Sequence, residues 1–505
     1  MVGQGIISQG LQLPLPILIT LLGGMATPFI GLISEKMRLR LTDAWMVLVS
    51  ALSLYGVYTL YDQVSKTANH VLLIYSWGQT PPFSGCFEID MLGVYMAFSI
   101  GLLSLLVSVY SISYMEHESR VTEFNTLVIF MVSGMYGIVM SGDLFTLFVF
   151  WELMGLASYV LVSFLKRNWV PIEAGFKYLV MSATAGAFLL LSMALIYGMA
   201  GTLNFAALAS TLRGAPMTPW TILIFATLIV GFGVKSAIVP LHTWLPDAHP
   251  EAPSPISALL SGIVIETGLY ALTRVLYIAF EPGFFKVPIA ALALVTMTVG
   301  NLLALRQDDL KRMLAYSSIG QVGYMLIGIS TGMTYGLLGT FLHIFNHSLM
   351  KGMAFLSVGS IVHETGTRDI NKLKGVGRMM PWTTLSIFVA FMGLGGVPGT
   401  SGFISKFILF NASMGAGLSI LALAGVLNST LSMAYYLRVL IALLSKRTEE
   451  TIEAKEAPIL MVGVAMVMAV LIIVLGFYPS PIVGIASDAS KSLIEGLTNY
   501  IGAVL

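Results

Sequence analysis

The sequence predicts an all-α polytopic membrane protein of about fourteen transmembrane helices, with two inverted five-helix repeats that each contain a broken helix. Three observations support this prediction. First, 57% of the residues are hydrophobic and only 10% are charged, whereas soluble proteins carry roughly 25% charged residues. Apolar runs of about 20 residues, the length that crosses a bilayer, recur along most of the chain. Third, the basic residues concentrate in alternate links between those runs.

The apolar runs divide the chain into predicted spans and links. The predicted spans lie near 13–33, 43–62, 91–113, 122–140, 143–165, 175–200, 219–245, 254–281, 285–304, 313–330, 333–362, 382–410, 418–445 and 457–478. The longest link, 63–90, holds two strand-like segments on either side of a turn at 79–82, which predicts a short β-hairpin. The tail at 481–505 predicts one amphipathic helix on the membrane surface.

Lysine and arginine give the orientation, because cytoplasmic links of membrane proteins are rich in both. Links after odd-numbered spans hold sixteen of these residues, and links after even-numbered spans, with the tail, hold four. We therefore expect a multi-pass protein of the cell membrane with the odd-numbered links in the cytoplasm and both termini outside. The bias also supports the number of spans, since one missed helix would invert every later link.

Two sets of five spans resemble each other. Spans 4–8 and spans 9–13 each have a fourth member that is interrupted, the first at Pro240 and the second at Gly395, Gly396 and Pro398. An odd number of spans per unit forces the two units into opposite orientations, the inverted-repeat pattern of many transporters. The predicted units are three N-terminal helices with the hairpin (1–114), two half-channels (115–282 and 283–446), and a final helix with the surface tail (447–505).

Several classes of function are excluded by composition. The net charge of +1 and the lack of acidic or basic tails give no support for a nucleic-acid partner. The single cysteine, Cys86, allows no internal disulfide and no cysteine cluster for iron or zinc. Neither a phosphate-binding nor a dinucleotide-binding glycine motif is present. We expect no cofactor and no redox or hydrolytic site in this chain. It is still compatible with a subunit of a larger complex that has enzymatic activity.

The seventh span carries the first group of candidate residues. Lys235 lies within an apolar run, Pro240 follows five residues later, and His242 comes next. An intramembrane lysine is costly, and a proline frees a backbone carbonyl, so the pattern is typical of a broken helix on an ion pathway. Glu152 in the fifth span is the expected partner of Lys235, since a moving carboxylate would change the proton affinity of the amine. The alternatives are a static ion pair for these two residues and a capping role for His242.

Glu266 in the eighth span is a second buried acid. Arg274 follows eight residues later, about two helical turns along roughly the same side. Glu266 is suited to passing a proton laterally through the membrane, and the alternative is that it neutralises Lys235 or Arg274 without moving. Asp247, His249 and Glu251 lie in the preceding link, where we expect them to stabilise polar structure rather than to bind metal.

The eleventh span contains the densest set of titratable groups. His343, His347 and Lys351 are spaced four residues apart and therefore share one helix face. Such a file, with water between its members, is suited to proton relay, and no third ligand is placed to complete a metal site. In the twelfth span Lys406 follows the glycine-rich break, as Lys235 accompanies the first break. A lysine that reaches to the interface is the alternative for Lys406.

These blocks resemble the antiporter-like membrane subunits of proton-translocating NADH:quinone oxidoreductase (respiratory complex I), Mrp-type cation/proton antiporters and membrane-bound hydrogenases. The resemblance lies in residues 143–161, 231–260, 308–326, 341–356 and 393–410, and it covers about 115–445. Within the family the chain looks most like the D-type subunit of Mrp antiporters and its counterpart in hydrogenase-type complexes.

The resemblance implies roles for individual residues. Glu152 and Lys235 match the glutamate–lysine pair of the first half-channel, and Lys406 matches the charged residue that ends the second. The family's central polar axis is matched by His343, His347 and Lys351. Glu266 departs from the pattern, because many relatives have lysine at this position.

The leading hypothesis is a proton-translocating subunit of a larger membrane complex of hydrogenase or oxidoreductase type. The resemblance implies further antiporter-like or small Mrp-like membrane subunits as partners, together with a peripheral cytoplasmic redox arm and the lipid bilayer. The D-type subunit of a Mrp-type Na⁺/H⁺ antiporter is the alternative. A non-conducting scaffold is a third possibility, and the reversed charge at Glu266 keeps it open.

Overall fold

The structure is a computed structural model that describes residues 13–67, 69–78, 84–165, 169–214, 216–447 and 452–505. The chain is a helical bundle with one small β-hairpin. The first helices are α1 (Leu15–Met37), α2 (Leu41–Lys66), α3 (Met91–Tyr114), α4 (Val121–Met140), α5 (Leu144–Val162), α6 (Trp169–Ala200) and α7 (Phe205–Leu212). Strands β1 (Val71–Gly78) and β2 (Ser84–Asp90) pair antiparallel between α2 and α3. The predicted hairpin is therefore present, while its turn at 79–82 lies outside the described residues.

The second part of the bundle continues with thirteen labelled helices. These are α8 (Pro219–Lys235), α9 (Leu245–Glu251), α10 (Ser254–Leu259), α11 (Ile265–Ala279), α12 (Pro282–Leu305), α13 (Leu310–Ser330), α14 (Thr334–Thr365), α15 (Pro381–Gly395), α16 (Ser401–Gly415), α17 (Ser419–Leu444), α18 (Ile459–Phe477), α19 (Ser480–Ile494) and α20 (Leu497–Val504). A π-helical turn, Leu260–Val264, joins α10 to α11. The prediction of one helix in the tail is wrong, because the chain breaks at Glu495 and Gly496 between α19 and α20.

Composition and burial agree with a polytopic membrane protein. Among the described residues, ten helices are long and apolar enough to cross a membrane. The stretch Ser254–Ala279 is entirely buried, whereas only about a third of the residues of α6 and α18 are buried. Lipid-facing side chains therefore surround a protein-filled centre that α11, α13 and α14 occupy.

The first helix break leaves α8 at Lys235 and resumes helical structure at α9, with Pro240 between them. Helix ends leave backbone carbonyls without partners, which is unfavourable where water is absent. Here the indole of Trp244 donates to the carbonyl oxygen of Val234 at 2.7 Å. Trp244, which lies at the other end of the break, thus satisfies a carbonyl that the helix leaves free. Lys235 is the last residue of α8.

The second break separates α15 from α16 across residues 396–400. Gly396 and Gly399 take φ values of +79° and +89°, in the left-handed region that favours glycine. The carbonyl of Leu394, in the last turn of α15, points away from the helix and accepts hydrogen bonds from side chains. The break at the proline and glycine residues therefore leaves the carbonyl oxygen of Leu394 free to accept hydrogen bonds from side chains in the interior.

The two halves of the chain share an unusual local bridge. Asp143 caps α5 and forms an isolated antiparallel bridge with Asn204, the residue before α7. Asp309 caps α13 and forms the same kind of bridge with Asp369, which follows α14. In each case an aspartate cap ties the start of one helix to the segment after the next long helix.

Candidate functional site

His343, His347 and Lys351 lie in the middle of α14 and are fully buried, with no exposed surface on any of the three side chains. Their four-residue spacing places them along one face, as helical geometry requires. The rings of His343 and His347 are 6.2 Å apart, centre to centre. That separation is too long for a direct hydrogen bond between the two rings.

His343 has a hydrogen-bond partner on each ring nitrogen. Its Nε2 lies 3.0 Å from Oε1 of Gln321, and its Nδ1 lies 2.9 Å from the hydroxyl of Ser405. Gln321 donates its amide to the carbonyl of Leu394 at 3.2 Å, so its oxygen must face the histidine and Nε2 must be the donor.

The Ser405 hydroxyl can form a hydrogen bond with both the neutral and the protonated form of His343. Its oxygen lies 2.9 Å from Nδ1 of His343 and 3.1 Å from the carbonyl oxygen of Gly402. When the imidazole is neutral, the hydroxyl hydrogen can point to Nδ1. When the imidazole is protonated, Nδ1 donates and the hydroxyl turns to Gly402. A single hydroxyl rotation therefore satisfies both protonation states, which is the property that a proton relay needs.

Lys406 completes this network at the second helix break. Its ammonium donates to the Leu394 carbonyl at 2.6 Å and to Ser429 at 3.0 Å, and it lies 4.4 Å from the ring centre of Tyr324. Gln321 donates to the same Leu394 oxygen. The break thus joins the amine to His343 through one carbonyl and one amide.

Glu266 approaches the central axis from α11. Its Oε1 is hydrogen-bonded to Nδ1 of His347, and both side chains are fully buried. The second oxygen of Glu266 and Nε2 of His347 have no partner among the described residues. Buried polar atoms are normally satisfied, so these two mark a place for water. The alternative, in which Glu266 neutralises Lys235 or Arg274, finds no ion pair among the described residues, because Arg274 pairs with Asp90 at 2.9 Å and Lys235 donates to the hydroxyl of Tyr178.

Lys351 is held by α13. Its ammonium donates to the hydroxyl of Ser317 at 2.7 Å and to the carbonyl oxygen of Leu314 at 3.2 Å. Ser317 in turn contacts the hydroxyl of Tyr436. The ammonium of Lys351 is therefore held by neutral hydrogen-bond partners.

Lys235 makes a different contact from the one expected. Its ammonium donates to the hydroxyl of Tyr178 at 2.8 Å and lies 4.8 Å from the centre of that ring. Glu152 is exposed on the outside of the chain and makes no ion pair among the described residues. A methyl group added at Gly186 would lie 2.9 Å from Oε1 of Glu152, so α6 limits where this carboxyl can move. Glu152 and Lys235, the two predicted partners, therefore lie near each other without forming an ion pair.

The two histidines that follow the first break have different surroundings. His242 is partly buried, and its Nδ1 has no described partner. His249 is fully buried, stacks on Phe355 at 4.8 Å, and has no described partner on either ring nitrogen. The flanking acids form ion pairs, Asp247 with Lys177 and Glu251 with Arg368.

The structure thus brings the predicted residues near the second helix break together more closely than those near the first. Gln321 is the direct link between His343 and the second break. Tyr178 and Ser405 carried no sequence signal, because isolated hydroxyl residues are common in membrane helices. Glu266 and His347 are 81 residues apart, and only the packing of α11 against α14 reveals their contact.

Two family profiles match the sequence. The profile described as NADH:quinone oxidoreductase/Mrp antiporter, transmembrane, matches residues 141–432. The profile described as NADH-ubiquinone oxidoreductase (complex I), chain 5 N-terminus, matches residues 79–125. The first match alone covers more than half of the chain.

Individual relatives extend the likeness across most of the chain. F(420)H(2) dehydrogenase subunit N of Methanosarcina mazei is 34% identical, covering 82% of this chain and 86% of the relative. NADH-quinone oxidoreductase subunit N of Trichlorobacter lovleyi is 36% identical, covering 82% and 87%. The D-type subunit of the Na(+)/H(+) antiporter of Alkalihalophilus pseudofirmus is 30% identical, covering 97% and 98%.

Solved structures share the fold. A chain of the membrane-bound sulfane sulfur reductase, an archaeal respiratory membrane complex, superposes with a TM-score of 0.88 at 28% identity, covering 97% of this chain and 99% of that one. A chain of the Mrp complex from Dietzia sp. has a TM-score of 0.89 at 23% identity, covering 98% and 100%. The resemblance inferred from sequence is confirmed, and the chain belongs to the NADH:quinone oxidoreductase/Mrp antiporter family of antiporter-like membrane subunits.

Proposed function

We propose that this chain translocates protons as a membrane subunit of a multisubunit respiratory complex of oxidoreductase type. One observation carries the proposal: the hydrogen-bonded connection from His343 through Gln321 and the Leu394 carbonyl to Lys406, inside the bundle. Titratable side chains at bilayer depth are costly and are typical of proton relays. The hydroxyl of Ser405 can serve both protonation states of His343.

The proposed pathway runs from Lys235 to Glu266 and His347, and then through His343 to Lys406. The base of the Lys235 side chain packs on α11, since a methyl group at Gly268 would lie 3.2 Å from Cβ of Lys235. Water is required between Lys235 and Glu266 and between the two histidines. His242 and Lys351 would act as side branches that take up protons or tune the charge of the file.

The proposed architecture has about fourteen spans in two inverted repeats. Its support is the pair of equivalent bridges, Asp143 with Asn204 and Asp309 with Asp369, together with one broken helix and one lysine in each unit. The excess of lysine and arginine in odd-numbered links, sixteen against four, favours a multi-pass protein of the cell membrane with both termini extracytoplasmic.

The driving force would come from neighbouring subunits. Glu152 is exposed on the outside of the chain, where a charge on an adjacent membrane subunit can attract or repel it. Closing the Glu152–Lys235 pair would hold a proton on the amine, and opening it would release that proton toward Glu266. Electron transfer would belong to a peripheral arm on other chains.

The D-type subunit of a Mrp-type Na⁺/H⁺ antiporter is the second candidate. The likeness to the antiporter subunit of Alkalihalophilus pseudofirmus favours it, because that likeness extends over 97% of this chain. Purification of the native complex separates the two: iron–sulfur or nickel–iron partners indicate redox drive, and small membrane subunits alone indicate antiport. A non-conducting scaffold is the third candidate, since the charge at Glu266 is reversed relative to many relatives.

Substitution of Glu266 tests the proposed pathway. In sealed vesicles that contain the intact complex, we expect Glu266→Gln to lose the pumping that this subunit contributes, because an amide keeps the contact with His347 but carries no exchangeable acid. Glu173→Gln, an exposed carboxyl paired with Lys177 on α6, is the matched control. Unchanged pumping in an assembled Glu266→Gln complex would remove Glu266 from the path and favour the scaffold.

A further inference from the structure

A buried acid lies outside the proposed pathway, at the end of the bundle that carries β1 and β2, called here the hairpin face. Glu88 in β2 has no exposed surface. Its Oε1 accepts hydrogen bonds from the amide of Asn204 at 2.6 Å and the thiol of Cys86 at 3.3 Å, and its Oε2 contacts the hydroxyl of Tyr500. Burial raises the pKa of the Glu88 carboxyl to about 7.

The charged groups around Glu88 do not form an ion pair with it. Arg274 donates to Asp90 at 2.9 Å and stacks 5.5 Å from the ring centre of Tyr500. Asp143 is turned toward the backbone amide of Cys86 and the first turn of α5. The Nε atom of Arg274 has no described partner although the side chain is buried. Glu88 therefore lies in a preorganised polar site, and one buried donor near it, Nε of Arg274, has no described partner.

Tyr500 and Asp90 separate this site from a cavity of about 340 Å³ that opens at the hairpin face. Polar and titratable side chains from α2, from the link before β1 and from α19 line it, and they include His70, Asp488 and Lys491. The cavity is large enough and polar enough to hold several water molecules. Tyr500 thus contacts Glu88 on one side and the cavity on the other.

The inner side of the site leads toward the central file. Glu266, Tyr270 and Arg274 are spaced four residues apart on α11, and all three are buried, so they share one face of that helix. Glu266 and Arg274 are about 12 Å apart along the helix axis at 1.5 Å per residue. This face carries the Glu266–His347 pair at one end and the Arg274–Asp90 pair, close to Glu88, at the other.

We propose that Glu88, Tyr500 and the adjoining cavity form a proton-exchange site that links the Glu266 side of the file to water at the hairpin face. The ionised carboxylate accepts the Tyr500 hydroxyl. The protonated carboxyl donates its Oε2–H to the tyrosine oxygen, whose own hydrogen then turns to cavity water. Release breaks the Oε2–H bond, forms a bond to the tyrosine oxygen, and passes the tyrosine proton to water, with no change of electron count. The inference rests on the proposed proton translocation.

Infrared difference spectroscopy of the purified complex tests the site without a pumping assay. Glu88→Gln keeps an acceptor for Asn204 and a polar group against Tyr500, so the fold is expected to persist. Between about pH 5 and 9, we expect a protonated-carboxyl band in the wild type that disappears with a midpoint of about 7 and is missing in Glu88→Gln. Identical titrations in the two proteins would overturn the proposal.

Pumping in sealed vesicles provides the second arm. We expect Glu88→Gln to lose the same share of proton pumping that Lys235→Ala loses, with electron transfer retained. Glu281→Gln, an exposed carboxyl of the same face paired with Arg213 at 3.0 Å, is the matched control. If only Lys235→Ala loses pumping, the exchange site is wrong and the proposed function stands. If neither variant loses pumping, the proposed function fails and the exchange site fails with it.

Discussion

Gln321 offers the sharpest test of the relay, because its amide fixes the orientation of His343. We consider Gln321→Met, an unbranched replacement of similar size that removes both hydrogen bonds of the amide. Nε2 of His343 loses its acceptor at 3.0 Å, and the Leu394 carbonyl keeps only Lys406 of the two side-chain donors described above. The substitution therefore acts mainly on the protonated state of the histidine.

The magnitude follows from the charge on the donor. A hydrogen bond from a charged group contributes about 1.5–3 kcal/mol, and a neutral one about 1 kcal/mol. The imidazolium form of His343 thus loses about 0.5–2 kcal/mol more than the neutral form does. At about 1.4 kcal/mol per factor of ten, the population of protonated His343 falls between about twofold and 30-fold. Proton transfer that passes through this state slows by the same factor.

The assay is proton uptake into sealed vesicles with the intact complex, taken as the part of pumping that Lys235→Ala abolishes. Asn125→Leu is the matched control, because it removes a buried amide that bonds to Asp43 at 2.9 Å, away from the file. We expect Gln321→Met to slow pumping and the control to retain it. Wild-type rates in an assembled Gln321→Met complex would refute the assignment of His343 and Gln321 to the relay.

Two further predictions concern the ends of the pathway. Gly186→Ala places a methyl group 2.9 Å from Oε1 of Glu152, so we expect displaced carboxyl geometry and reduced pumping, whereas Gly198→Ala on the same helix meets nothing within 4 Å and should pump normally; equal rates would argue against Glu152. Glu88 gives a pH-dependent stability. Its pKa rises from 4.5 to about 7 on folding, so the folded state holds a proton that the unfolded chain releases. This stabilisation is complete below about pH 4.5 and is lost, on the order of 3 kcal/mol, as pH rises through about 7. Unfolding of wild type and Glu88→Gln at about pH 5 and 8 should therefore show the loss only in the wild type, and parallel profiles would contradict it.

The polytopic helical fold could be predicted because hydropathy and helix-breaking residues act locally. Apolar length sets the spans, and Pro240 and Gly396 interrupt helices by backbone chemistry that any sequence context shares. The hairpin between α2 and α3 could be predicted in the same way, from two strand-like segments on either side of a turn. The tail was harder, since the break at Gly496 competes with an amphipathic pattern that continues through it.

The candidate site was less predictable, because its contacts join distant parts of the chain. The four-residue spacing of His343 and His347 is a property of one helix and was readable. The partner of Lys235 was not, because a lysine side chain is long enough to reach either Glu152 or Tyr178, and packing decides between them. The bond from His347 to Glu266 likewise depends on how α11 meets α14.

The most direct test of proton translocation is pumping by the intact complex with Lys235→Ala or Lys406→Ala. These lysines occupy the two helix breaks, and neither is exposed to solvent by more than 3%. The account predicts that each assembled variant loses the pumping contributed by this subunit, because each removes the only amine at its break among the residues described. Full pumping in both variants would contradict the account and favour a scaffold.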